Sequence, residues 1–116
     1  MTRLRVCDAG EPARGAVVVV RLGRDADGYM REALVLRDFG GTVRAYRNLC
    51  KHLPIPLDAG SRRFLGADGT HLECGTHGAE YRLEDGLCIA GPCEGERLDA
   101  LGVEETPDGV FLTVEG

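Results

Sequence analysis

Two short stretches hold residues that could bind a metal at fixed spacing. The first is Cys50-Lys51-His52, inside NLCKHLPIPLDAG at 48–60. The second is Cys74-Gly75-Thr76-His77, inside LECGTHGAEY at 72–81. Each supplies one thiolate and one imidazole, and 21 residues separate His52 from Cys74. Two Cys and two His suit a structural zinc ion, held tetrahedrally by two sulfurs and two nitrogens. They equally suit a [2Fe-2S] cluster with two Cys on one iron and two His on the other. Zinc modules commonly pair like ligands in each half, whereas both halves here are mixed. Mixed halves fit a cluster whose two irons must each be reached from both stretches.

Such ligands need rigid loops. Pro54 and Pro56 stiffen the first stretch, because each fixes its own backbone φ and donates no N–H. Gly75 and Gly78 let the backbone of the second approach a ligand closely. The scaffold around them reads as strands. Asp-Gly occurs at 27–28, 68–69, 85–86 and 108–109, and Gly40-Gly41 adds a fifth turn signal. TPDG at 106–109 has Pro second and Gly fourth, as a type I turn prefers. Between these turns, segments rich in Val, Leu, Tyr and Phe predict strands near 14–22, 33–38, 42–47, 61–65, 70–73, 79–83, 87–90, 99–105 and 110–115. No window of helical length has a 3.6-residue apolar period. The expected fold is all-β and antiparallel, with segment 48–93 as a site-bearing insertion in a β scaffold.

Length, charge and cysteine usage narrow the class. A chain of 116 residues fits one domain, 1–116, with a modest core. The net charge is -5, distributed as +3 over residues 1–83 and -8 over 84–116. Without a dominant basic face, nucleic acid is not an expected partner. The acidic end either keeps the surface solvated or steers the protein toward a basic partner. The start MTRLRVCDAGEP has no apolar run after its basic residues, and the longest apolar stretch, Ala16 to Val20, cannot span a bilayer. The expectation is a soluble, cytoplasmic protein with no membrane contact. Five cysteines, an odd number, argue for metal or redox chemistry over a disulfide framework.

The sequence resembles the Rieske iron–sulfur family, in particular its small soluble ferredoxins. CKH, the following LPIPLD, and CGTHGAEY carry the resemblance, which runs from about 48 to 93. EDGLCIAGP looks like the family's strand–turn–strand leading to a third, proline-containing loop beside the cluster. The resemblance implies an antiparallel β-sandwich of several small sheets, with a cluster-binding subdomain formed by two hairpin loops. It places Cys50 and Cys74 on the inner iron, and His52 and His77 on the outer iron through their Nδ1 atoms. Two departures stand out. The gap between the loops is a few residues longer than usual. The positions that carry a tethering disulfide in respiratory and photosynthetic relatives hold Ile55 and Thr76.

Other residues have a plainer and a sharper reading. His71 alternates with apolar Leu72, so it is expected to face outward on a strand and not to bind metal. Cys7 reads as a half-buried core thiol and Cys88 as a small buried hydrophobe. Cys93 follows Gly91-Pro92; it either packs over the cluster as a thiol or pairs with Cys88. Pro92 shapes the third loop. Tyr81 is either a core aromatic or, as resemblance to high-potential members suggests, a hydrogen-bond donor to a ligand sulfur. Lys51 sits between two ligands and is expected near solvent, and Leu53 is expected to shield the cluster.

Charge counting shows what histidine ligation would do. Two ferric ions, two sulfides and two thiolates sum to zero, whereas a site of four thiolates sums to minus two. Adding an electron to the neutral centre costs less, so the potential rises. No acid, base or nucleophile constellation indicates turnover, and no G-x-G-x-x-G marks a flavin or nicotinamide site. The expected function is a one-electron carrier between a reductase and a terminal oxygenase or other oxidoreductase, without a small-molecule substrate of its own. A redox-sensing or small cluster subunit, or a structural zinc module, is the alternative.

Overall fold

The computed structural model describes residues 2–24, 26, 28, 30–49, 64–65, 70–74 and 78–114. Among them are nine strands and no helix: β1 (Thr2–Cys7), β2 (Val17–Arg24), β3 (Met30–Arg37), β4 (Val43–Arg47), β5 (His71–Glu73), β6 (Glu80–Arg82), β7 (Cys88–Ala90), β8 (Gly102–Thr106) and β9 (Gly109–Val114). They form three antiparallel sheets, ordered β1-β9-β8, β2-β3-β4 and β5-β6-β7. The all-β expectation holds.

The middle sheet lies between two cores, and its sequence explains why. Side chains alternate across a strand, so a strand buried on both faces reads as an unbroken apolar run. In β3, Ala33 and Val35 enter the core shared with Val110 and Leu112 of β9. Leu34 and Leu36 enter the opposite core, with Leu72, Tyr81 and Cys88. In β2, Val18 and Val20 pack on the first core, and Val17 and Val19 on the second. The valine run therefore serves two interiors.

The larger differences from the sequence expectation are these, besides β3, which begins at Met30 and not at 33. β1 was not foreseen; it pairs with β9, Leu4 opposite Leu112, far along the chain. β2 begins at Val17, because Ala16 N–H closes a turn onto Ala13 C=O at 3.1 Å. β8 begins at Gly102, because residues 99–101 run beside β4 instead, through Arg47 N–H to Asp99 C=O and Leu101 N–H to Ala45 C=O, both 2.9 Å. Of the expected strand at 61–65, the described residues are Phe64 and Leu65, and Leu65 bridges Leu72.

Arg37 fastens the scaffold. Its guanidinium meets both Glu105 carboxylate oxygens, at 3.0 and 2.7 Å, and donates to the carbonyls of Glu11, Pro12 and Gly41. This ties the ends of β3 and β8 to the β1–β2 connection. No helix among the described residues is long and apolar enough to cross a membrane.

Candidate metal centre

The β5–β6 hairpin carries the second cysteine. Leu72 lies opposite Tyr81, and Glu73 opposite Glu80. Leu72 and Tyr81 point inward and are fully buried, so strand alternation fixes the hairpin on the core. Beyond Glu73 the chain closes tightly. Cys74 N–H donates to Ala79 C=O, and Gly78 N–H donates to Cys74 C=O, both at 2.8 Å. Gly78 takes φ +71°, a value that favours glycine. Cys74 therefore enters the loop with a fixed backbone and a fully buried side chain. His77 lies between these anchors in the sequence and outside the described residues.

The first loop is bracketed on both sides. Cys50, Lys51, His52 and Leu53 lie outside the described residues, as do Ile55 and Thr76. Ahead of them, Asn48 is buried. Its N–H donates to Glu32 C=O at 2.8 Å, and its side-chain amide donates to Glu32 Oε1 at 3.1 Å. After them, Phe64 C=O accepts from Glu73 N–H at 2.7 Å. The segment leaving the first loop is thus bonded to the residue just before Cys74.

The third loop packs behind the second. Asp85 shapes its approach: the carboxylate pairs with Arg82 and accepts Leu87 N–H at 3.0 Å. The Arg82 guanidinium holds that carboxyl down to about 2, against the opposing effect of burial. Cys88 N–H bonds to Glu96 C=O at 2.7 Å, and Gly95 N–H to Cys88 C=O at 2.9 Å. Between these bonds the chain turns through Gly91, which lies against Ala79 so closely that a Cβ would meet its Cα at 2.7 Å. Pro92 is exposed on this turn, whereas Cys93 is buried.

The remaining candidates divide as follows. Cys88 is a buried strand residue, as expected, and Cys93 Sγ lies 3.2 Å from Cys88 Sγ. Tyr81 is fully buried, and its hydroxyl lies 3.0 Å from Cys93 Sγ, a cysteine outside the expected ligand set. His71 is half-buried on the face opposite Leu72, its Nδ1 2.7 Å from the Thr70 hydroxyl. Cys7 is half-buried in β1, and burial pushes its thiol pKa up, so it stays protonated. The Tyr81–Cys93 contact escaped the sequence reading. Its one sequence trace was the Cys88-x4-Cys93 spacing.

Of the four expected donors, Cys74 is the one among the described residues, and its sulfur, buried on a backbone held by Ala79 and Gly78, suits a thiolate ligand. A family model described as the Rieske [2Fe-2S] domain matches residues 2–107. The oxygenase subunit of glycine betaine monooxygenase from Chromohalobacter salexigens is 32% identical over 90 residues, 76% of this chain and 18% of that protein. The terminal oxygenase of carbazole 1,9a-dioxygenase from Novosphingobium sp. KA1 is similar in structure, with TM-score 0.72 at 24% identity over 98% of this chain and 30% of that chain. A chain of the reduced complex between oxygenase and ferredoxin in carbazole 1,9a-dioxygenase gives TM-score 0.72 at 22% identity, covering 95% of this chain and 27% of that one. The chain thus spans less than a third of the length of these relatives.

Proposed function

The chain belongs to the Rieske [2Fe-2S] domain family, and on that premise we propose that Cys50, His52, Cys74 and His77 hold the cluster and that the protein carries single electrons between protein partners. The Rieske match over residues 2–107 is the observation that carries this reading. When bound, the cluster takes up and gives back one electron at a time.

The chain's own residues supply the conditions for that exchange. Cys74 offers a thiolate from a buried position, with its backbone N–H and C=O already committed to Ala79 and Gly78. Its geometry has little freedom to change with the charge beside it. His52 and His77 contribute neutral donors, which makes the site less negative than four thiolates would. Gly91 packs onto Ala79 and closes the side of the hairpin that faces the third loop. Tyr81 holds its hydroxyl within the same buried cluster as Cys74.

The partners on this reading are a reductase and a terminal oxygenase or other oxidoreductase. A second reading follows from the relatives, which are oxygenase subunits: the domain serves as the Rieske part of an oxygenase component. Stopped-flow mixing of the reduced protein with a separately purified oxygenase tests the choice. A carrier is reoxidised by that oxygenase and hydroxylates nothing alone. Failure of a separately purified oxygenase to reoxidise it supports the second reading, in which the electron passes within one component.

A further inference from the structure

Two cysteines outside the proposed ligand set are paired inside the protein. Cys88 Sγ lies 3.2 Å from Cys93 Sγ and 3.2 Å from Ala90 C=O. Cys93 Sγ also lies 3.0 Å from the Tyr81 hydroxyl. A carbonyl only accepts, so Cys88 donates its S–H to Ala90. The Cys93 sulfur sits between the Cys88 sulfur and the Tyr81 hydroxyl, within contact of both.

The backbone already holds the two sulfurs together. Cys88 bonds to Gly95 and Glu96, the residues that close the loop containing Cys93. The sulfurs must approach by roughly 1 Å to reach a disulfide bond length of about 2.05 Å. Gly91, Pro92, Glu94 and Gly95 are exposed around Cys93, which is itself only 5% exposed.

We propose that Cys88 and Cys93 form an oxidation site, closed to an intrachain disulfide by hydrogen peroxide. The Cys93 sulfur, as thiolate, attacks one peroxide oxygen. An S–O bond forms, the O–O bond breaks, and the departing hydroxide takes up the Cys93 proton as water. The Cys88 sulfur then displaces the sulfenic oxygen, which leaves as a second water with the Cys88 proton. Two thiols and one peroxide give one disulfide and two waters. The sulfurs lose two electrons and the peroxide oxygens gain them. Tyr81 thereby exchanges a thiol partner for a disulfide sulfur, so the oxidation is felt inside the cluster of buried residues that includes Cys74.

The site is independent of cluster ligation, because its test reads a covalent bond. The purified full chain is treated with graded hydrogen peroxide, its remaining thiols are alkylated under denaturing conditions, and tryptic peptides are weighed. Residues 83–97 form one peptide containing both cysteines, between Arg82 and Arg97. The expected product is that peptide, unalkylated and two hydrogen atoms lighter, restored by dithiothreitol. In Cys88→Ser the same dose should leave a sulfenic acid at Cys93 that dimedone traps. A wild-type peptide alkylated at both cysteines at every dose overturns the proposal. So does oxygen added to each sulfur with no bridge. The wild-type result decides the matter even if the variant does not fold.

Discussion

Gly91 rests directly on Ala79: a methyl group at 91 would stand 2.7 Å from Ala79 Cα and 3.2 Å from its Cβ. This contact joins the third loop to the hairpin that presents Cys74. Gly95 in the same loop also has positive φ, +93° against +98° at Gly91, but open space around it. Both glycine-to-alanine changes incur backbone strain, whereas Gly91→Ala adds a steric clash. Gly91→Ala is expected to lose about 1–3 kcal/mol more than Gly95→Ala, the usual cost of overpacking. Urea denaturation of the two variants measures the difference. Equal losses would mean that the contact with Ala79 carries no weight.

Tyr81 and Tyr46 offer a matched pair of buried hydroxyls. Tyr46 donates to Leu83 C=O at 2.6 Å, and Tyr81 lies 3.0 Å from Cys93 Sγ. Each change to Phe is expected to lose about 1 kcal/mol, the typical net worth of a hydrogen bond. Tyr81→Phe should also lower the midpoint potential, because the Tyr81 hydroxyl dipole lies against Cys93 of the third loop, which packs on the Cys74 hairpin, and favours the more negative, reduced form. Tyr46→Phe should leave the potential unchanged. Protein-film voltammetry separates the two. A Tyr81→Phe potential equal to wild type would reduce Tyr81 to a packing role.

The middle strands were legible because two-sided burial writes itself as a valine and leucine run. β1 was not, although Leu4 and Val6 alternate with Arg3 and Arg5. Its partner β9 lies at the other end of the chain, and Arg3 is exposed, its guanidinium 3.8 Å from the centre of the Phe111 ring. No local pattern reports such a pairing. Cys74 was singled out from its spacing, and the structure places it buried at the end of the β5–β6 hairpin. The Tyr81–Cys93 contact was hidden for a different reason. The register shifts between Glu80 and Tyr81, so Tyr81 faces Cys88, while Cys93 arrives from a turn whose path the sequence does not specify.

Stability should fall in acid through named carboxylates. The Arg37 guanidinium holds Glu105 below its ordinary 4.5, to about 2, and Arg82 holds Asp85 to about 2. Depressed carboxyls stabilise the folded state above their unfolded values, and that contribution is lost as pH falls through the folded values. The loss should therefore run from about pH 4.5 down to pH 2. Glu105→Gln removes one contributor and should flatten the curve in that window. At the other extreme, burial raises Tyr46 to about 12. Its contribution is complete below pH 10 and lost as pH rises toward 12, by the same linkage with the sign reversed. Melting temperatures across pH test both limbs. An unchanged acid limb in Glu105→Gln would remove the Arg37–Glu105 pair from the account.

The central claim is the mixed ligand set, and iron analysis of single variants tests it most directly. Iron and sulfide are counted, and the paramagnetic signal of the reduced protein is recorded, in Cys50→Ala, His52→Ala, Cys74→Ala, His77→Ala and the control His71→Ala. Two irons and the wild-type signal are expected in His71→Ala, whose imidazole on β5 pairs with the Thr70 hydroxyl. A lost or grossly altered signal is expected in the other four. Two irons with an unchanged signal in His77→Ala, together with iron lost from His71→Ala, would contradict the mixed ligand set.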